Sequence, residues 1–314
     1  MELKNVSVKT TTNYSYDKDN HLTSTMTTSN QAGVPANRTE YFYDAAGNRV
    51  LERKQVAGTD EFVPVQKYTY DDFGRLSGVN DESYTYDGSN QRVSKDGIYA
   101  AWSGGKIVGE FKDAGLVSYV FGVGCEGMVD ANGTVSVTTQ NGRGDIVANT
   151  SDSATQTNKF DAFGNNSGDY KGIDNPYSYN GYYTDTETGL YYLNARYYDP
   201  ETGSFIQEDT VTGTFTDPFS RNLYTYCNNS LLAHADPSGH SLSLSQMNAY
   251  VSSKAKDHGH LHVRTGPGTG YGILGWVWPG ENVRIDYTNA SGTWAHITYN
   301  VDGSTATKEG WSSM

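Results

Sequence analysis

The fold is specified by a pattern that recurs along the first third of the chain and is clearest in Tyr41-Phe42-Tyr43-Asp44-Ala45-Ala46-Gly47-Asn48-Arg49-Val50. It joins a Tyr-x-Tyr-Asp tetrapeptide to a short turn and then to an Arg followed by an aliphatic residue. The Tyr-x-Tyr-Asp tetrapeptide occurs four times, at Tyr14–Asp17, Tyr41–Asp44, Tyr68–Asp71 and Tyr84–Asp87. Self-similarity of this kind predicts a fold built by repetition of one small unit.

Each copy of the pattern predicts a β-hairpin. Successive side chains of a strand point to opposite faces, so Tyr-x-Tyr places both rings on one face. The Asp ends the strand by hydrogen-bonding its own downstream backbone, and Gly47, Gly74 or Asn90 adopts the positive φ of the turn. Because a single hairpin is marginally stable in water, the hairpins must pair side by side, ring over ring. The repeats therefore predict an extended antiparallel sheet.

The composition of the whole chain favours an all-β protein. Of its 314 residues, 35 are Gly and 25 are Tyr, whereas only 36% are hydrophobic and 19% are charged. The low content of aliphatic residues argues against a helical bundle, and the high content of Gly and Tyr is typical of short strands joined by tight turns. The aromatic share of 13% argues against a disordered chain, since buried rings offset the ordering entropy.

The charge balance and the two cysteines exclude several kinds of partner and site. A net charge of -13 repels phosphate backbones, so we expect no nucleic-acid partner. No segment approaches the roughly 18 apolar residues of a membrane span, so we expect no membrane insertion. Cys125 and Cys227 are isolated, which predicts neither a disulfide framework nor a metal site. The start of the chain lacks the apolar region of a signal peptide, so the protein is either cytosolic or the C-terminal part of something longer, which the repeats favour.

The repeats resemble the YD repeats of the RHS (rearrangement hot spot) family. Two later segments look like degenerate repeats, at Gly142–Val147 and Phe160–Asn165. The following part is similar to the RHS repeat-associated core, in the segments Asn175–Tyr183, Glu187–Pro200, Gly203–Ile206, Glu208–Thr210, Asn222–Asn229 and Asp236–His240. The resemblance implies a β-sheet ribbon that spirals into a hollow shell and ends at the core. Four clear repeats are too few to close a shell, which leaves a partial one.

The C-terminal part of the chain resembles a second family. Residues 241–257 are Ser-rich and predict a linker or a short helix. The string Leu261–Tyr271, together with later strand-like runs and the closing Gly310-Trp311, is similar to the bacterial SH3 domain (SH3b, SH3 type 3). That resemblance implies a small SH3-like β-barrel that is not catalytic. The predicted domains are YD repeats at 1–98, degenerate repeats and core at 99–240, the linker at 241–257 and the barrel at 258–314.

Two aspartates are candidates for self-cleavage, because some members of the RHS family cut themselves just after an Asp-Pro-x-Gly-Leu motif. Here the corresponding residues are Asp236 and Asp209, and two carboxylates sharing a proton activate water in aspartic proteases. The sequence departs from that pattern at His240, which stands in place of Leu, and at Thr210, which stands in place of Pro. The alternative is a type I turn at Asp236 and a strand-end cap at Asp209.

The aromatic residues of the tail are the candidate ligand-binding surface, since rings offer flat contact area at a low entropy cost. They are Tyr271, Trp276, Trp278, Trp294 and Tyr299. Trp276 and Trp278 share one face of a strand, so they are either both buried or both presented.

Other short motifs have simpler explanations as turns or as chance clusters. Asp17–Asn20 lacks the central Gly and the distal Glu of a calcium loop, and Arg143-Gly144-Asp145 fits turn chemistry. His258, His260 and His262 alternate, but no further ligand apart from Asp257 is close in sequence, and we interpret them as a chance cluster.

The resulting prediction is a non-enzymatic binding protein, extracellular or associated with the cell wall. Its tail would tether it to cell-wall peptidoglycan or to a peptide partner. No Ser-His-Asp spacing, P-loop or dinucleotide motif is present, so we expect no cofactor and no enzyme acting on small molecules. Two alternatives stay open: an RHS polymorphic-toxin fragment that cuts itself near His240 and releases its tail, and a repeat surface that binds glycans.

Overall fold

β-strands supply nearly all the regular structure of this computed structural model. The structure describes residues 8–122, 124–168, 173–211, 221–231 and 234–240, and in the tail 243–244, 249–250, 261–265, 270–271, 273–277, 282–288, 294–300 and 307–313. The chain divides into a first unit (1–118, 130–132 and 185–226) and a second unit (119–129, 133–184 and 227–314). The predicted domain boundaries stay predictions. None of the helical segments among the described residues is long and apolar enough to cross a membrane.

The first unit contains the repeat strands, and each strand pairs antiparallel with the next one in sequence. The strands are β1 Thr10–Tyr16, β2 Leu22–Ser29, β3 Asn37–Tyr43, β4 Arg49–Gln55, β5 Phe62–Tyr70, β6 Leu76–Val79, β7 Glu82–Tyr86, β8 Arg92–Lys95, β9 Ile98–Ser103, β10 Lys106–Lys112 and β11 Gly115–Phe121, which runs on into the second unit. This chain-ordered antiparallel sheet confirms the fold class predicted from the repeats.

The turn after each Tyr-x-Tyr-Asp is closed by the Asp side chain. Asp44 Oδ1 accepts the backbone N–H groups of Ala46 and Asn48, both at 2.9 Å. Gly47 takes the positive φ of 79° that the bend needs. The same pair of side-chain bonds, to the residues two and four positions later, recurs at Asp17, Asp71, Asp87, Asn141 and Asp161. The predicted turn chemistry is therefore confirmed.

A segment of the first unit that follows the repeats covers one face of the sheet. This core segment, residues 185–206, contains β17 Leu190–Tyr192, β18 Tyr197–Asp199 and β19 Ser204–Phe205. β16 Tyr183–Asp185 precedes it. The first ring of a repeat is buried where the core segment lies above it, as at Tyr41, Tyr68 and Tyr84.

The repeat rings contact arginines and the core segment, and no ring-on-ring contact between the tyrosines of successive repeats occurs among the described residues, so the expected stacking of ring over ring is wrong. Tyr84 packs on Tyr197 with ring centroids 5.8 Å apart. The second ring of a repeat bonds to the backbone, since the Tyr70 hydroxyl donates to Arg49 O at 2.7 Å. Burial of the repeat face is therefore completed by the core, which is distant in sequence.

The second unit holds the remaining strands. β12 Cys125–Val129, β13 Val135–Gln140, β14 Ile146–Thr150 and β15 Thr155–Thr157 pair in chain order. Short 3-10 turns lie at Tyr179–Gly181 and Cys227–Asn229, and β20 His234–Ala235 pairs with β21 Ser243–Leu244. The other tail strands are β22 Ala249–Tyr250, β23 Leu261–Arg264, β24 Ile273–Val277, β25 Asn282–Thr288, β26 Trp294–Asn300 and β27 Thr307–Ser313.

The six tail strands from β22 to β27 form one sheet in the order β22-β25-β26-β27-β23-β24. This order has two ends, so the pairing of the described strands does not close the barrel that the sequence predicts. The SH3b-like assignment stays a prediction. The predicted short helix lies mostly outside the described residues, and Tyr250 lies on β22.

Candidate functional site at the junction of repeats and core

Two buried ion pairs join repeat strands to the core segment. Arg49 Nη1 lies 2.6 Å from Asp199 Oδ2, and Arg92 Nη1 lies 2.5 Å from Asp185 Oδ2. The two arginine side chains are only 0% and 2% exposed. Because a buried charge is costly unless it is paired, each arginine fixes its core aspartate in place.

Local sequence explains why these four residues meet. Arg49 and Arg92 each begin the return strand after a repeat turn. Each core aspartate begins the same Asp-x-Glu-Thr-Gly pattern, at Asp185–Gly189 and Asp199–Gly203. In both, the Gly N–H donates to the Asp carbonyl, at 2.8 and 2.9 Å, and the Gly has a positive φ. Sequence reasoning missed this site, although the duplicated pattern was a usable signal.

Tyrosine rings surround the buried arginines. The Arg92 guanidinium lies 4.5 Å from the ring centroid of Tyr192 and 5.1 Å from that of Tyr84. The Arg49 guanidinium lies 4.6 Å from the ring centroid of Tyr41. Such cation–π contacts are strongest where the cation is desolvated. Burial by itself lowers the pKa of Arg49, but the charge and hydrogen bond of Asp199, together with Tyr43 and Tyr68, outweigh burial and hold that pKa well above its usual value.

A cavity of about 190 Å³ opens beside the first of these ion pairs. Its polar lining includes three carboxylates, those of Glu52, Asp199 and Glu201, and the ammonium group of Lys54. Its walls include the ring of Tyr68. We call this cavity the acid pocket. The pocket therefore concentrates negative charge where the core segment meets β4 and β5.

Glu52 is the electrostatically perturbed group of the acid pocket. Burial, followed by the negative charge of Asp199, raises the pKa of Glu52 to about 7, and Arg49 opposes this shift. A carboxyl group that titrates near neutral pH in a cleft is a recognised mark of a functional site. Glu52 can therefore gain or lose a proton under conditions in which an ordinary glutamate stays ionised.

The structure places Asp209, the first self-cleavage candidate, in the first unit. Its Oδ2 lies 2.7 Å from Arg196 Nη2, and this carboxylate is 11% exposed. Its Oδ1 accepts the N–H of Val211 at 2.9 Å. Asp209 is thus held by an arginine and by its own loop.

Asp236, the second candidate, lies in the second unit and is 3% exposed. Its Oδ1 accepts the N–H groups of Gly239 at 2.9 Å and His240 at 3.1 Å, and the Ser238 hydroxyl at 3.1 Å. Gly239 has a φ of 75°. This arrangement is close to that of the repeat turns, which agrees with the turn alternative. The catalytic role of both aspartates stays a prediction.

The tail candidates are only partly visible in the structure. Tyr271 is 51% exposed. Trp276 lies on β24, and Trp294 and Tyr299 lie on β26, but their side chains fall outside what the structure describes. Trp278 lies outside the described residues altogether. Binding of a cell-wall peptide, peptidoglycan or a glycan stays a prediction.

The remaining motifs lie in turns where they are described. Asp17, Asp19 and His21 bring ligand atoms within 4.8 Å of one another, but both Asp17 oxygens already bond to the turn and to His21 Nδ1. Arg143 pairs with Asp145 at 2.9 Å inside the Asn141 turn. His258 and His260 lie outside the described residues.

No family model matches the chain. The chain is 34% identical over 250 residues to a tRNA3(Ser)-specific nuclease WapA from Bacillus spizizenii, a match that covers 73% of this chain and 10% of the relative. It is 29% identical over 257 residues to the tRNA nuclease WapA of Bacillus subtilis, covering 64% of this chain and 11% of that protein. A double-stranded DNA deaminase toxin A from Burkholderia cenocepacia is 24% identical over 218 residues, covering 54% of this chain and 15% of that protein. The chain therefore spans only about a tenth of the length of the WapA relatives.

Solved structures give a weaker match. The crystal structure of TcdB2-TccC3-Cdc42 has a TM-score of 0.45 at 18% identity, covering 73% of this chain and 15% of that one. The Photorhabdus luminescens Tc holotoxin pore has a TM-score of 0.43 at 17% identity, covering 74% of this chain and 15% of that one.

These findings correct the functional prediction. The prediction of a non-enzymatic tethering protein is wrong, because the curated relatives are named as nucleases and as a deaminase toxin. The toxin alternative agrees with them better. The chain is similar in sequence to the WapA nucleases, which supports the RHS part of the resemblance and leaves the SH3b part a prediction.

Proposed function

We propose that this chain is the repeat-and-core part of an RHS-type enzymatic toxin, and that it cuts itself near His240 to release its C-terminal segment. The observation that supports this function is the 34% identity over 250 residues to a tRNA-specific nuclease. Action outside the producing cell, as predicted from the family resemblance, fits this proposal. The repeat sheet and its core act as a rigid carrier within the larger protein.

The hydrogen bonds of the Asp236 turn support the proposed cut. Its carboxylate lies about one hydrogen-bond length from the amide nitrogens of Gly239 and His240, so the backbone at this position is fixed next to a potential base. In the cut, a carboxylate takes a proton from water, and the resulting hydroxide adds to the carbonyl carbon. The C–N bond then breaks, and the proton passes to the leaving amine.

Self-cleavage is tested by incubating the purified chain and analysing it by denaturing gel and intact mass. We expect two fragments whose junction lies between residues 236 and 241, and an intact band for Asp236→Asn. Asp161→Asn is the matched control, since the Asp161 carboxylate also closes a turn in the second unit by accepting two backbone N–H groups. A wild-type band that stays intact over several days would refute self-cleavage.

The names of the relatives suggest nucleic acid as the substrate class of the enzymatic part, and this proposal departs from the expectation, based on net charge, of no nucleic-acid partner. The test is incubation of the self-cleaved chain with total tRNA, followed by a denaturing gel. Cleavage of the tRNA would support a nuclease activity within residues 1–314. If the chain cuts itself and the tRNA stays intact, the nuclease part of the proposal is refuted and only the carrier role is left.

A further inference from the structure

Among the described residues, direct contact with a cation neutralises only one of the three carboxylates that line the acid pocket. Asp199 Oδ2 forms an ion pair with Arg49 Nη1 at 2.6 Å and also accepts a hydrogen bond from the Thr202 hydroxyl at 2.7 Å. Among the described residues, Glu52 forms no ion pair within 4 Å. An ionised Glu52 therefore has two further carboxylates near it and no cation in contact.

Every element packed against Glu52 contributes to its electrostatic environment. On its own strand, Arg49 and Lys54 favour the ionised form. On β3 and β5 its register partners are Tyr41 and Gln66, with buried Tyr68 beside Gln66. From the core segment, the two carboxylates Asp199 and Glu201 disfavour the ionised form.

One backbone bond reports directly on whether the core segment is docked. The amide of Arg49 donates to the carbonyl of Ile206 at 2.9 Å, so it joins β4 to the end of the core segment. Gln66 Nε2 adds a second bond, to the Thr188 carbonyl at 2.9 Å. Both bonds lie at the same junction as the acid pocket and break if the core segment lifts away.

We propose that Glu52 is a proton-controlled latch between the repeat sheet and the core segment, tight when Glu52 is protonated and looser when it is ionised. This regulatory device does not depend on the proposed toxin function. Its pH window follows from the elevated pKa of Glu52. The docked state holds the proton more tightly than an exposed glutamate does, so docking is strongest at acid pH and weakens as pH rises through about 7.

The size of the effect follows from the two pKa values. Taking the ordinary value of 4.5 for the undocked state and about 7 for the docked state, the docking constant falls about 70-fold between pH 5 and pH 8. Other carboxyl groups with ordinary pKa values are already mostly ionised at pH 5, so their charge changes little between pH 5 and pH 8. The latch therefore has a pH profile distinct from general acid denaturation.

The test is hydrogen exchange of the Arg49 amide in the full chain between pH 5 and pH 8, corrected for the intrinsic pH dependence of exchange. We expect protection to fall about 70-fold with rising pH in the wild type and to stay nearly constant in Glu52→Gln. Glu61→Gln, an exposed loop carboxylate, is the control and should keep the wild-type profile. Identical profiles for the wild type and Glu52→Gln would overturn the latch.

A second measurement does not rely on a variant. Carbon-13 NMR of the glutamate side chains should show one carboxyl that titrates near pH 7, which Glu52→Gln identifies by its disappearance. If all glutamates titrate near 4.5, the latch has no proton to control and the proposal fails.

Discussion

The Arg49–Asp199 pair is the contact on which core docking depends most directly, and Asp199→Asn tests it. Asn keeps the shape of the side chain and can still accept from the N–H of Glu201, which Asp199 binds at 2.9 Å. It removes the negative charge that lies 2.6 Å from Arg49 Nη1. The substitution therefore leaves a buried guanidinium without its carboxylate partner, and it places an NH2 group where Oδ2 accepts from Arg49 and from the Thr202 hydroxyl.

The expected cost follows from the burial of the pair. With the Arg49 side chain 0% exposed and that of Asp199 10% exposed, water does not replace the lost partner. Breaking a buried pair in this way costs about 3–5 kcal/mol. Asp71→Asn is the matched control, because the Asp71–Arg75 pair is partly exposed and such pairs contribute about 0–1 kcal/mol. Asn141 already closes one turn of this chain, so Asn suits that position.

The assay is urea unfolding followed by circular dichroism, with hydrogen exchange of the Arg49 amide as a local probe. The double variant Arg49→Met/Asp199→Asn should recover part of the loss, because it removes the unpaired charge. A loss below about 1 kcal/mol for Asp199→Asn, equal to that of Asp71→Asn, would refute the idea that buried charge pairing holds the core segment.

Further predictions concern the turns and the tyrosines. Gly47→Ala should destabilise the first unit by at least about 2 kcal/mol in urea unfolding, since the new Cβ would lie 2.5 Å from the Tyr224 hydroxyl oxygen. Gly58→Ala, with a similar positive φ and nothing within 4 Å, should cost only about 1 kcal/mol; equal losses would contradict the role of Tyr224. Burial raises the pKa of Tyr192 to about 12, so the folded state disfavours its phenolate and stability should fall as pH rises above about 10. Ultraviolet titration should show late phenolate formation that Tyr192→Phe reduces, and an ordinary midpoint for every tyrosine would argue against burial of this hydroxyl.

The turns show how much of the fold is local. The Asp of each repeat bonds to residues only two and four positions away, so five consecutive residues contain both the donors and the acceptor. A strand end, a turn and the start of the return strand are therefore set by short-range hydrogen bonds and by a Gly or Asn that tolerates positive φ. That is why the antiparallel, chain-ordered sheet was predictable from the repeats.

The candidate site depends on long-range contacts that the pattern does not encode. Arg49, Arg75 and Arg92 occupy the same place after a repeat turn, yet they have different surroundings. Arg75 bonds to Asp71, four residues earlier, and stays 20% exposed. Arg49 and Arg92 are buried against aspartates 150 and 93 residues away.

The hairpin unit, its turn and the order of its strands can be read from the amino-acid sequence, because those features arise from neighbours along the chain. The repeats that the core segment covers, the arginines that lose their water and the carboxylates that lack a counter-ion depend on long-range packing. Desolvation explains the difference, because the ionisation of Glu52 and the pairing of Arg49 depend on residues that exclude water and lie far away in sequence.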